Sequence, residues 1–450
     1  MTAPRMSSPG RMVALTRRTT FRKGFLGPWD PWVMWAWLYC LARGQQAFAV
    51  DVHMTTLVPS HMHTTVTPHT KELSRFTEKV HGEFSCALNQ LLLKRGYDKP
   101  RQVWDGRECH WTLLVDPPAQ LSRLVYDYTN NASAGLVERP EQMPGAQVSF
   151  RDWKGGPRMI PRFPLYFDPA QHEPELPLSI TPPAMLYRDF GGQVDKLVYH
   201  MEKTTETALS AIAAERRGRP VLGPSAVTKL DPWSEPSTMA ESGGERIPTF
   251  QVGAKGLLGK SMHIQCCEEV TAFRKDHRVA LGTWRDGDRE VEFPYGTYQM
   301  AEVYGANCKS APPAGAILLT PGPTLDDVKA ELAARTEAFT MDAALAVVDE
   351  AKAALSEESE AIVRYAEQCV PLPGTGRHVS VPAAGAHPPS SDASQTATPT
   401  SAPTEERPDE LEVRGLSAPR RLTGRHPRRT VTLRRRRRRS NKGGSEPPSQ

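Results

Sequence analysis

Residues 50–67, VDVHMTTLVPSHMHTTVT, constrain the fold more than any other stretch of this chain. Val50 to Val58 and His61 to Thr67 are rich in β-branched residues, and Pro59-Ser60 between them reads as a tight turn, so the spacing predicts an antiparallel hairpin. A hairpin alone is marginal in water, and one this apolar needs further strands and a layer of helices to cover it. Strand side chains alternate with a period of two. His61 and His63 are therefore expected on one face, with Met62 pointing into the core. Two imidazoles side by side suit a metal ion; with 13 histidines in 450 residues they also suit coincidence. What else shares that face decides between the two.

The neighbouring segments supply the missing layers. Met12 to Thr16 reads as a strand. Lys71 to Lys94 is amphipathic at helical spacing, with Leu73, Phe76, Val80, Phe84, Leu88 and Leu91 on one side, and is expected as a core helix. RQVWDGRECHWTLLVD (101–116) reads as strand, turn, strand, and Pro118 to Asn131 as a helix ending near Gly135. The order β-α-β-β-α-β-β-α predicts an α+β fold, an antiparallel sheet with helices packed on it.

The N-terminus offers two readings. Basic residues Arg17 to Lys23, the apolar run PWVMWAWLYCLA (31–42) and the small residues at 47–49 imitate a secretory leader. That would make this an exported protein, with Asn131-Ala132-Ser133 as a glycosylation sequon. Against it, Trp29-Asp30-Pro31 interrupts the approach, and Trp32, Trp35, Leu38, Tyr39 and Ala42 recur at helical spacing. The run is also too short to span a bilayer. A buried amphipathic helix, with Asp30 as cap and Pro31 in its first turn, is the expectation. The seven cysteines are scattered, with no CxxC pair, which fits a reducing cytoplasm.

Charge is unevenly placed. Residues 414–450 hold 13 basic residues against one acid, Glu446, so the formal net charge of +5 resolves into a basic tail on a body of about −7. Arg17, Arg18, Arg22 and Lys23 precede the first acid, Asp30, and together with Phe21 and Phe25 could line a single strand of nucleic acid by charge and stacking.

Tyr126 and Asn130 lie four residues apart and so share one helical face. A tyrosine, an amide oxygen and two strand imidazoles are the groups that metal-assisted phosphodiester cleavage needs: the cation polarises a phosphate oxygen and the phenol attacks phosphorus. SHMH (60–63), the long helix after it and YDYTNNASAGLVERPEQMPG (126–145) occur in an order that resembles the REP-associated tyrosine transposases, relatives of the single-tyrosine HUH transposases of insertion sequences. The resemblance covers roughly residues 12–150. It implies an HUH endonuclease domain in which His61, His63 and Asn130 bind a divalent cation, Mg²⁺ or Mn²⁺, and Tyr126 is the nucleophile. It further implies cleavage and transfer of single-stranded DNA carrying hairpins, through a 5′-phosphotyrosine, often by a dimer and with no membrane involved. Gly135, Leu136, Val137 and Pro140 fit the family pattern. Ser60 stands where the family has Asn, and Asn131 where it has Pro. Tyr128, two residues on, is expected to face elsewhere. A DNA-binding descendant that no longer cuts is the alternative.

Beyond this segment, residues 151–312 read as an accessory region. GRPVLGPSAVTKL (218–230) is a candidate second half of a helix-turn-helix, and 272–300 ends in an aromatic, strand-like run. Cys266 and Cys267 near His263 are not spaced as zinc ligands and are expected to be buried. Residues 313–370 read as a helical appendage, and 371–450, rich in Pro, Ser, Thr and finally Arg, as a disordered tail.

Overall fold

The first strand, β1 (Val13–Arg18), lies at the centre of a five-stranded sheet, and the hairpin flanks it. In the computed structural model, which describes residues 4–106, 109–145, 147–236, 249–338 and pieces of 348–360, the chain continues into α1 (Trp32–Ala47), β2 (Val50–Val58) and β3 (His61–Pro68). Then come α2 (Leu73–Lys94), β4 (His110–Leu114) and α3 (Pro117–Ser133). Strand order is β2-β3-β1-β4-β7, where β7 (Phe250–Gln251) comes from far along the chain. The fold is α+β, as expected. The sheet is mixed rather than purely antiparallel, because β7 runs parallel to β4.

Register sorts the side chains onto two faces. Leu57 pairs with Met62 and Thr55 with Thr64, while Val58 pairs with His61 and Thr56 with His63. On β1, Thr16 lies opposite His63, Arg17 opposite Met62 and Arg18 opposite His61. Helices α1 and α2 pack together over the face of Thr55, Leu57 and Met62: Trp37 Nε1 donates to Thr55 Oγ1 at 2.9 Å, and Trp37 meets Phe84 and Trp104 edge-on. Gly44 is where the two helices touch, since a Cβ there would lie 2.5 Å from Val80 Cγ2 and 2.8 Å from Phe76 Cε2. Asp30 accepts from the amide of Trp32 at 2.8 Å and so starts α1. The tryptophan-rich segment is thus a buried core helix, and among the described residues no helix is long and apolar enough to cross a membrane.

Helix α3 covers the opposite face, where the histidines point. Pro117 and Pro118 suit its first turn, and Asp116 caps it by accepting from Ala119 N at 2.9 Å. The same carboxylate accepts from Gly253 N and Ala254 N, both at 2.8 Å, which clasps the β7 segment to the start of α3. Gly253 allows this approach, since a Cβ would sit 2.1 Å from Ala119 N. Gly135, at φ +71, ends the helix segment as expected.

Other elements follow: β5 (Arg158–Pro161) and β6 (Glu175–Leu178) form a separate ribbon, α4 (Ala184–Asp189) leads to α5 (Val194–Arg216), and α5 packs on α3. α6 (Pro224–Val227) is a single turn, begun by Gly223 at φ +88 and Pro224, so no helix-turn-helix forms. α7 (Gly256–Arg285) takes up the first part of the stretch expected to end in a strand; past it, only an isolated bridge between Phe293 and Cys308 forms. α8 (Gln299–Tyr304) and α9 (Leu325–Ala338) follow. Likewise, the expected strand before the DGREC turn reduces to one bridge, Thr19 to Trp104. Cys266 is buried as expected, whereas Cys267 is exposed. The tail expected over residues 371–450 lies outside the described residues.

Candidate functional site

The hairpin and α3 bring His61, His63, Tyr126 and Asn130 together. The imidazole rings of His61 and His63 lie edge to face with centroids 4.9 Å apart, and Tyr126 meets His63 edge-on at 5.8 Å. Asn130, only 7% exposed, hydrogen-bonds His61 from one turn along α3. Tyr126 is 53% exposed, so its phenol is open to a ligand. Tyr128 is the reverse case. It packs on Phe150, donates to Glu141 at 3.0 Å and accepts from Arg151. Burial, followed by the charge of Glu141, pushes its phenol well above the ordinary range. Two residues along a helix point about 200° apart, which is why one tyrosine is presented and its neighbour is structural.

Burial disfavours the charged form of both imidazoles. Burial, then the guanidiniums of Arg18, Arg22 and Arg123, bring His61 down to about 4 against the opposing hydrogen bond from Asn130. Burial, followed by His61, Arg123 and Arg18, holds His63 well below the usual imidazole value. Neutral imidazole is the form that ligates metals.

Three residues not anticipated from sequence complete the arrangement. Arg123 Nη2 lies 2.9 Å from Thr16 Oγ1 and 3.1 Å from His63 Nδ1, while its Nε donates to Asp127 at 3.0 Å. Asp127, fully buried, brings Oδ1 to 3.1 Å from His63 Nδ1. Burial pushes the Asp127 carboxyl up to about 6, and Arg123 works against that rise. Arg123 also lies 5.4 Å above the Tyr126 ring. The signal for this pair was present: positions 123, 126, 127 and 130 share a face of α3, and Thr16 follows from its pairing with His63.

The site's donor set is two imidazoles and an amide; among the described residues, no group of three His, Cys, Asp or Glu side chains is placed to hold a metal. His63 Nε2 is nevertheless buried with no hydrogen-bond partner. Buried polar atoms are rarely left so, and an orphaned imidazole nitrogen beside a second imidazole fits a cation. His53 shows the contrast: its Nδ1 meets Thr181 O at 2.7 Å and its Nε2 meets Thr67 Oγ1 at 2.8 Å, a purely structural histidine.

The expected basic patch divides. Arg18 and Arg22 act on His61 and belong to the site. Arg17 points to the other sheet face, 2.8 Å from His81 Nδ1 and over the Trp104 ring, as the period of two requires. Lys23 is paired with Glu235 at 2.7 Å. Phe25 is fully buried against Trp233 and cannot stack on a base, whereas Phe21 is 80% exposed.

No protein-family model and no curated protein matches the chain. Among solved structures, it is similar to a REP-associated tyrosine transposase bound to a REP hairpin, with 15% identity over 39% of this chain and 96% of that one, at a TM-score of 0.28. It is also similar to a Deinococcus radiodurans R1 protein, provisionally described as a transposase, with 13% identity over 27% of this chain and 88% of that one, at a TM-score of 0.20. Likenesses this distant place no residue of the site.

Proposed function

We propose that this protein cleaves and rejoins single-stranded DNA, with Tyr126 as nucleophile and a divalent cation, Mg²⁺ or Mn²⁺, held by His61, His63 and Asn130. One observation carries the reading: an accessible phenol stands edge-on to a histidine pair in which a buried imidazole nitrogen lacks any partner. Metal-bound structural histidines need no exposed nucleophile beside them, and surface tyrosines have no use for such a pair.

In this reading, Arg18 and Arg22 draw the DNA backbone to the site, and the scissile phosphate sits between Tyr126 and the two imidazoles. The Tyr126 Oη–P bond forms as the P–O3′ bond breaks; the phenolic proton leaves to solvent and the departing 3′ oxygen takes one up. The product is a 5′-phosphotyrosine and a free 3′-OH, and attack by a 3′-OH reverses the step. When bound, the cation polarises a phosphate oxygen and stabilises the charge that builds at phosphorus. Arg123, over the Tyr126 ring, fixes the attacking side chain in place. Hairpin-forming DNA as substrate and a dimeric assembly belong to the same proposal, by the resemblance of residues 126–145 to the transposase motif.

The test is a single-stranded, hairpin-containing oligonucleotide labelled at its 3′ end and incubated with the full chain and Mn²⁺. Wild-type protein becomes covalently attached to the labelled fragment, while Tyr126→Phe binds DNA but forms no adduct. An adduct that persists in Tyr126→Phe and disappears in Tyr128→Phe would reverse the assignment of the nucleophile. DNA binding without any cut would favour the non-cleaving alternative.

A further inference from the structure

The turn that follows β1 carries the wrong residues for its shape. Phe21, at φ +48 and ψ +23, and Arg22, at φ +55, are both left-handed, and Lys23 N donates to Thr20 O at 3.1 Å across them. That matches a type I′ turn, whose two central positions ordinarily go to Asn and Gly because a bulky side chain is strained there. Among the described residues, Arg217 is the one other non-glycine residue with a positive φ.

Strain of this kind persists only where the surroundings over-determine the backbone, and here they do. Buried Thr19 donates to Ser60 O from its amide at 2.9 Å and from its hydroxyl at 3.0 Å. Thr20 N donates to Val103 O and Gly24 N to Ser234 O, both at 2.9 Å, and Lys23 is held by Glu235. The side chain at the tip gains no burial in return. Phe21 is 80% exposed, and among the described residues no other Phe or Trp stands as open. A lone exposed ring means little by itself, but a ring held in water on a strained backbone stabilises nothing in the fold. Its place points to a use. Ser60, which the turn grips, has its Oγ 3.2 Å from His61 Nδ1, and Arg18 lies opposite His61 in the sheet. The turn therefore stands beside the candidate site, with an arginine on either side of Phe21 in the chain.

We infer that Phe21 is a stacking platform for one base of the bound single strand, held out by the strained turn while Arg18 and Arg22 take the neighbouring phosphates. This rests on single-stranded DNA being the substrate, as proposed above. Every base offers a π-face, so Phe21 adds affinity and fixes the position of the strand without reading its sequence. A protein partner is the other use for an open ring. One ring between two arginines matches the alternation of base and phosphate along a strand, whereas the core of a protein interface needs a larger apolar patch.

The experiment measures binding of the full chain to a fluorescently labelled single-stranded oligonucleotide at fixed salt, without added metal so that no cut intervenes. Phe21→Ala should weaken binding about 5–150-fold, the loss that removing one stacking contact brings, and Phe21→Trp should keep it. An abasic site walked along the oligonucleotide should weaken wild type at one position and leave Phe21→Ala unaffected there. Phe21→Gly separates this from a structural role. It relieves the left-handed backbone, so its melting temperature should match or exceed that of wild type while binding falls as in Phe21→Ala. Binding by Phe21→Ala within about twofold of wild type would overturn the inference. So would a lower melting temperature in Phe21→Gly, or abasic losses that are the same in wild type and Phe21→Ala at every position. Unchanged DNA binding with an altered oligomeric state in Phe21→Ala, read by light scattering, would give the ring to a protein contact instead. Coupling to one abasic position in a protein that never cuts would support Phe21 and overturn the cleavage reading; a Tyr126 adduct without such coupling would do the reverse.

Discussion

Replacing Asp116 with alanine should loosen the frame that positions the candidate site, because a single carboxylate holds two distant segments together. It caps α3 through Ala119 N and binds Gly253 N and Ala254 N, 137 and 138 residues further on. Loss of an N-cap costs about 1 kcal/mol. Hydrogen bonds to a charged acceptor contribute about 1.5–3 kcal/mol each when buried. Gly253 and Ala254 are only half-buried, so water can reach the freed amides and the lower end applies. Asp116→Ala should therefore cost about 3–4 kcal/mol. Asp116→Asn keeps one acceptor oxygen but sets an NH₂ against an N–H, and should cost about half as much. Urea unfolding of the full chain, followed by tryptophan fluorescence, gives the midpoint shift. Hydrogen exchange should show faster opening at the first turn of α3 and at residues 250–254. The reasoning fails if alanine costs under about 1 kcal/mol, or if alanine and asparagine are equivalent.

Asp51 and His69, 2.9 Å apart, should make stability depend on pH. The hydrogen bond that His69 donates to Asp51, with Asp326 and Asp327 nearby, raises His69 above 6.5, so its contribution is full below that value and fades as pH rises through the raised one. Asp51, where the raising effect of burial is outweighed by His69, His53 and Lys329 together, sits below 3.8, so its share is lost only in strong acid. Asp51→Asn should cost about 1 kcal/mol at pH 5 and less at pH 9, measured by thermal unfolding; equal losses at both would contradict the pairing. Gly44→Ala should destabilise by about 1–2 kcal/mol despite better helix propensity, since buried Val80 and Phe76 cannot give way; a gain in melting temperature would contradict the close helix contact. Arg18→Ala or Arg22→Ala should weaken single-strand binding and flatten its salt slope by about 0.7 per lost phosphate contact, whereas Lys23→Ala, whose ammonium is held by Glu235, should change it little. Deleting residues 372–450 should weaken binding to all single-stranded sequences alike while leaving the cleavage position unchanged; an altered cut site would mean that the tail reads sequence.

Local pattern was enough for much of this molecule. The hairpin at residues 50–67, the helices over 71–94 and 118–131 and the burial of the tryptophan-rich segment follow from β-branching, turn residues and periodicity, which act over a few residues. The facing of His61 and His63, and of Tyr126 and Asn130, followed from periods of two and about 3.6. The parity that placed the histidines also separates Arg17 from Arg18, and applying it to β1 would have removed Arg17 from the basic patch. Tertiary structure alone decided what depends on pairing between distant segments. Which strand joins the edge of the sheet was one such choice: a two-residue β7 carries no pattern of its own and is held by Asp116. Another was the fate of charged side chains, with Lys23 drawn to Glu235 and Asp127 shut in with Arg123 and His63. A buried carboxylate looks like any surface aspartate in sequence, because its cost and its use both arise from desolvation, which exists only once the chain has closed over it.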